Sequence, residues 1–123
     1  FGSVPYALPP LGARRFARAE LSEAPWGPGG LLDARLPSPP CIQNPAGDPR
    51  SQVSESGPPT EDCLHLNIWR PRPSQNASTG APALQPVLVY LFGGGLCGGW
   101  AGSENFNGSN LVLQHGLLVV TVS

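Results

Sequence analysis

The chain has 123 residues, a net charge of −1 and seven cations, all of them arginine. That balance creates no basic field to draw in nucleic acid or an anionic membrane surface. With 16 Pro, 16 Gly and 40% apolar residues, the chain has little material for an ordinary compact core, although it lacks the composition of a disordered segment.

Residues 1–7 read as a short strand, stopped by Pro9-Pro10. Residues 11–30 show no clean period and carry several Pro and Gly, so loop is expected there. Residues 38–60 are polar and rich in Pro, Gly and Ser, which reads as a long surface loop. Leu64-His65-Leu66-Asn67-Ile68-Trp69 alternates apolar and polar residues, the pattern of a half-buried strand. Arg70-Pro71 ends it, because proline cannot donate to a ladder. A second polar loop follows over 73–86. Residues 86–92, Pro-Val-Leu-Val-Tyr-Leu-Phe, form an apolar run bounded by Pro and Gly, the pattern of a core strand. Gly93-Gly94-Gly95 comes directly after it. Residues 107–115 fit a short helix with Gly116 as its stop. Residues 117–123 form a last buried-strand pattern. Strand, glycine-rich loop, helix and strand in that order predict a right-handed crossover between parallel strands, and hence an α/β fold. The chain opens at Phe1 inside one strand-like run and stops at Ser123 inside another, so both ends are expected to be cuts in a longer polypeptide. No apolar stretch reaches about 18 residues, so no transmembrane segment is expected in this chain.

Three cysteines, Cys41, Cys63 and Cys97, form no CxxC pair, and the two histidines lie far apart. Neither a metal site nor any other cofactor is expected from that spacing. Two sequons, at Asn76 and Asn107, are candidate glycosylation sites and, with a possible disulfide, lean towards a secretory compartment.

The glycine triplet is the strongest chemical signal. Three successive glycines leave backbone free of side chains, so their N–H groups can converge on one point. A phosphate cradle would need GxGxxG or GxxxxGK[ST] spacing, and the chain has neither pattern and no Lys. Two readings remain, a flexible turn and an oxyanion hole that stabilises a tetrahedral intermediate.

Leu91-Phe92-Gly93-Gly94-Gly95-Leu96 resembles the oxyanion motif of α/β-hydrolases. Thr60-Glu61-Asp62-Cys63-Leu64-His65-Leu66-Asn67 resembles the S-E-D-C-L-x-L-N signature of type-B carboxylesterases and cholinesterases. Val4-Pro5-Tyr6-Ala7-Leu8-Pro9-Pro10-Leu11-Gly12, then Arg15-Phe16 and Pro25-Trp26, resemble that family's opening in the family's own order. The resemblance covers most of the chain. It implies that residues 1–123 are an N-terminal fragment of a carboxylesterase type-B domain. They would supply the first antiparallel strands, a disulfide loop and the first parallel strands of an α/β-hydrolase sheet. It further implies a serine ester hydrolase acting on a small-molecule carboxylic ester through an acyl-enzyme, with Gly94 and Gly95 as loop donors to the oxyanion. The catalytic Ser, His and carboxylate would lie beyond this chain, which has no G-x-S-x-G; alone it should be inert.

The resemblance also pairs Cys41 with Cys63, Cys41-Ile42-Gln43 matching the family's C-x-Q, and joins Arg15 to Glu61 in a buried salt bridge. Cys97 is left as a free, partly buried thiol beside the site, with an intermolecular bridge as the alternative. His65 and His115 do not match the family's catalytic histidine, and Trp26, Trp69 and Trp100 read as packing residues. Phe92 stands where carboxylesterases have His and cholinesterases Tyr, and Leu96 where Phe is usual. No aromatic residue lies between Cys41 and Cys63, which disfavours a choline ester, since a cation–π partner would be missing. A rival reading from another class is a non-catalytic cholinesterase-like binding or adhesion module of the neuroligin or thyroglobulin kind. A third is a fragment with no function of its own.

Overall fold

A computed structural model of the chain describes residues 1–23, 28–44, 54–72 and 84–123. Within them a mixed sheet of four strands and one helix carries the structure. The strands are β1 (Val4–Pro5), β2 (His65–Trp69), β3 (Val87–Leu91) and β4 (Leu118–Val122), and the helix is α1 (Ser109–His115). The sheet order is β1-β2-β4-β3. β1 pairs antiparallel with β2, β2 pairs antiparallel with β4, and β3 runs parallel to β4. The Val-rich β4 therefore occupies a central place, with Val119 and Thr121 buried. A parallel pair needs a crossover, and residues 92–117, including α1, provide it.

Strand β1 is shorter than its apolar pattern suggests, since Pro5 removes one donor and the ladder stops there. Extended pairing continues irregularly around it: Phe1 N donates to Ile68 O at 2.7 Å and Ile68 N to Phe1 O at 2.6 Å. Residues 11–30 hold only 3₁₀ turns, at Gly12–Arg14 and Pro28–Gly30. Helix α1 ends at Gly116 as expected, and Val112 is its buried contact. The residue before it, Gly108, must be glycine. A Cβ there would lie 2.8 Å from Val119 Cγ1 and 3.2 Å from Trp69 Cδ2, so a side chain would push the helix off the sheet.

Three expectations need correction. The run 86–92 is not a core strand here. Strand β3 is exposed along its whole length, with Val89 59% accessible, because it lies at the sheet edge, where the Phe106 ring against Tyr90 gives only partial cover. The loop 38–60 is not all surface, since Ser38 and Pro40 are fully buried beneath the sheet face. The polar phase of β2 does not face water either. Asn67 is its most buried residue, 1% accessible, because the segments 37–40 and 100–103 cover that face.

Asn67 holds this covered face together. Its Oδ1 accepts from Ser38 N at 2.8 Å and Ser3 N at 3.2 Å. Its Nδ2 donates to Ser38 Oγ at 3.0 Å and Thr121 Oγ1 at 3.1 Å. Thr121 Oγ1 donates in turn to Ala101 O at 2.9 Å. Every polar atom of the amide is thereby used, the condition under which a buried polar group is tolerated.

Candidate functional site

The glycine triplet lies just beyond the C-terminal end of β3, the end of a parallel strand at which α/β sheets present their ligand sites. Backbone sterics shape the loop. Gly94 has φ 151°, Gly95 φ 59° and Leu96 φ 60°. A Cβ on Gly94 would fall 1.8 Å from the carbonyl oxygen of Gly98, so the outgoing and returning arms touch without any side chain between them. Cys97 N donates to Gly94 O at 3.0 Å and closes the turn. The closure consumes a carbonyl of the triplet. Among the described residues no backbone hydrogen bond uses the N–H of Gly94 or Gly95. The triplet is exposed, and Leu96 next to it is wholly so.

Phe92 leads into the turn by packing. Its ring stacks on Phe106 with centroids 6.4 Å apart, and Tyr90 meets the same ring at 5.1 Å. The returning arm is held by Gln43. Gly99 N donates to Gln43 Oε1 at 2.6 Å, and Gln43 Nε2 donates to Gly99 O at 3.1 Å and to Cys41 O at 3.0 Å. Nothing in the spacing of a single loop glutamine singles it out, apart from its place in the C-x-Q stretch. Beyond Trp100, Ala101 N donates to Ser123 Oγ at 3.0 Å, so the segment after the turn is fixed to the end of β4.

Cys41 and Cys63 form a disulfide. Arg15 Nε donates to Glu61 Oε1. This ion pair is not buried: the side chains are 55% and 33% accessible, because the loop carrying Arg15 lies on the surface. Arg15 also lies 4.6 Å from the ring centroid of Phe16. Cys97 is a free thiol, exposed rather than partly buried as expected, because it lies in the exposed glycine turn. His65 approaches Asp62, Nε2 to Oδ1 3.9 Å, while its buried Nδ1 has no partner among the described residues. Burial pushes this imidazole below its ordinary value, and the Asp62 charge opposes the shift only in part. His115 is exposed at the end of α1. Asn107 is exposed, with its Oδ1 accepting from Ser109 N at 2.9 Å. Asn76 and Trp26 lie outside the described residues. Trp100 is buried in the core, in line with a packing role. Among the described residues no group of His, Cys, Asp or Glu is placed to hold a metal ion, and no helix is long and apolar enough to cross a membrane.

The sequence is similar to known ester hydrolases along its entire length. It is 37% identical to an acetylcholinesterase of Bungarus fasciatus, over all of this chain and 20% of the relative. It is 38% identical to an acylcarnitine hydrolase of Mus musculus, over 99% of this chain and 21% of the relative. It is 36% identical to a cocaine esterase of Oryctolagus cuniculus, over 99% of this chain and 22% of the relative. The chain thus spans about a fifth of the length of the relatives it matches. The model of the carboxylesterase family matches residues 1–123. With an α/β sheet, a glycine turn at the end of a parallel strand, the Cys41–Cys63 disulfide and this whole-length match, the chain belongs to the carboxylesterase family, whose fold is that of the α/β-hydrolases.

Proposed function

We propose that this segment supplies the oxyanion loop of a serine carboxylic ester hydrolase, with the N–H groups of Gly94 and Gly95 as donors. The observation that carries the reading is a glycine-led turn at the end of β3 whose closure uses the Gly94 carbonyl and, among the described residues, leaves both amides without a hydrogen-bond partner. Amide dipoles held in place before reaction stabilise developing negative charge without reorganising. Loss of one such donor costs about 2.7–4 kcal/mol of transition-state energy. The nucleophile, its histidine and its carboxylate would come from residues outside these 123. The substrate would be a small-molecule carboxylic ester. An acyl-enzyme would form by attack of the serine oxygen on the carbonyl carbon and break by attack of water, and the oxygen of each tetrahedral intermediate would rest on the two amides. Residues 1–123 would form the N-terminal part of the catalytic domain. A disulfide and the sequons at Asn76 and Asn107 support a secreted, glycosylated product.

The test is hydrolysis of p-nitrophenyl butyrate by the natural full-length polypeptide carrying this segment. Turnover abolished stoichiometrically by a serine-directed organophosphonate is the expected result. An intact fold with neither turnover nor phosphonylation would overturn the proposal in favour of a non-catalytic binding module. The 123-residue chain alone should show no turnover.

A further inference from the structure

We propose that Gln43 is a positioning residue, whose carboxamide grips Gly99 and thereby sets the direction of the Gly94 and Gly95 amides. The inference rests on the oxyanion reading above and names what maintains that geometry. A turn made of glycines does not hold its own shape, because glycine has the largest backbone entropy to lose. The loop 93–99 contains five glycines, and the side chains of Leu96 and Cys97 are both exposed. Something outside the loop has to fix it.

Gln43 is suited to that role. Its amide meets Gly99 as a strand neighbour would, accepting from the N–H at 2.6 Å and donating to the carbonyl at 3.1 Å. Its own base is anchored: Cys41, two residues earlier, is tied to Cys63 by the disulfide and forms a bridge with Thr60. Gly99 is in turn in direct contact with the outgoing arm. A Cβ on Gly99 would lie 2.8 Å from Phe92 Cδ2 and 3.0 Å from Gly93 O, and its φ is 105°. Gly94 and Gly98 are closer still. With the arms packed backbone to backbone, a shift of Gly99 carries Gly93 and Gly94 with it. The disulfide loop thus serves as the fixed body against which the donor loop is braced.

The experiment compares wild type, Gln43→Ala and Gln43→Glu in the natural full-length polypeptide by amide hydrogen exchange and by steady-state hydrolysis of p-nitrophenyl butyrate. Gln43→Ala should speed exchange at residues 94–99 by at least about tenfold while β2 and β4 keep their protection. It should lower kcat by about 10- to 100-fold, the effect of donors displaced by an ångström or so, with KM changed by less than about threefold. Gln43→Glu keeps an acceptor for Gly99 N–H but loses both donors, so it should fall between the other two. A merely structural role would instead shift exchange throughout the sheet. Unchanged loop exchange in both variants overturns the proposal, as does an active wild type whose variants keep kcat within about twofold. If wild type is inert towards esters, the esterase reading fails separately, and loop exchange alone then decides whether Gln43 is the brace.

Discussion

Replacing Asn67 with Leu keeps nearly the same volume and removes every hydrogen bond of the buried amide. The lost partners are unequal. Ser38 is fully buried, so its N–H, 2.8 Å from Asn67 Oδ1, has no route to water and costs about 1–3 kcal/mol when orphaned. Ser3 N–H is only part-buried, at 3.2 Å, and should cost about 0.5–1.5 kcal/mol. Thr121 keeps its bond to Ala101 O and loses little. The sum is about 1.5–4.5 kcal/mol, a large share of the 5–15 kcal/mol that holds a typical domain together. Urea unfolding followed by tryptophan fluorescence should show the midpoint falling with an unchanged slope. Thr121→Val, which leaves the Ala101 carbonyl and one Nδ2 proton of Asn67 unpaired, should itself cost about 1–3 kcal/mol. A loss below about 1 kcal/mol for either variant would show that the network is not the closed, dry unit described.

Opening the Cys41–Cys63 loop, of sequence separation 22, by a double Cys→Ser exchange should destabilise the protein by about 3 kcal/mol; a change within about 0.5 kcal/mol in the same unfolding assay would refute the structural role of the bridge. Arg15→Ala and Glu61→Ala should each cost less than about 1 kcal/mol, because a half-exposed pair is screened by solvent; a loss above about 3 kcal/mol would mean that the pair is buried after all. Stability should depend on pH through His65, whose folded-state pKa is depressed chiefly by burial. The unfolded chain then takes up the proton first, so this contribution is complete above about pH 6.5 and is lost as pH falls through the folded-state pKa. His65→Gln should flatten that slope in thermal unfolding between pH 5 and 7, and an unaltered slope would remove His65 from the account.

Much of the fold was legible in the sequence because it depends on local chemistry. The alternation at 64–69, the apolar runs at 86–92 and 117–123 and the Gly116 stop each mark their element to within a residue or two. What was not legible depends on which layers meet. Alternation shows that β2 has two faces and leaves open which of them is covered. Asn67 therefore reads as solvent-facing, although the segments 37–40 and 100–103 close over it. An apolar run such as 86–92 reads as core whether or not a neighbouring layer is present, and in this chain β3 is an only partly covered edge. The candidate site divides in the same way. The glycine triplet is visible as a motif, whereas the grip of Gln43 on Gly99 joins residues 56 apart and leaves no periodic trace.

The central claim concerns where two amides point when negative charge is present. A crystal structure of the natural full-length polypeptide, covalently inhibited by an organophosphonate, tests it directly. The account predicts the phosphonyl oxygen within about 2.7–3.1 Å of both Gly94 N and Gly95 N. An adduct whose oxygen is held by other donors, with these two amides turned to solvent, would contradict it.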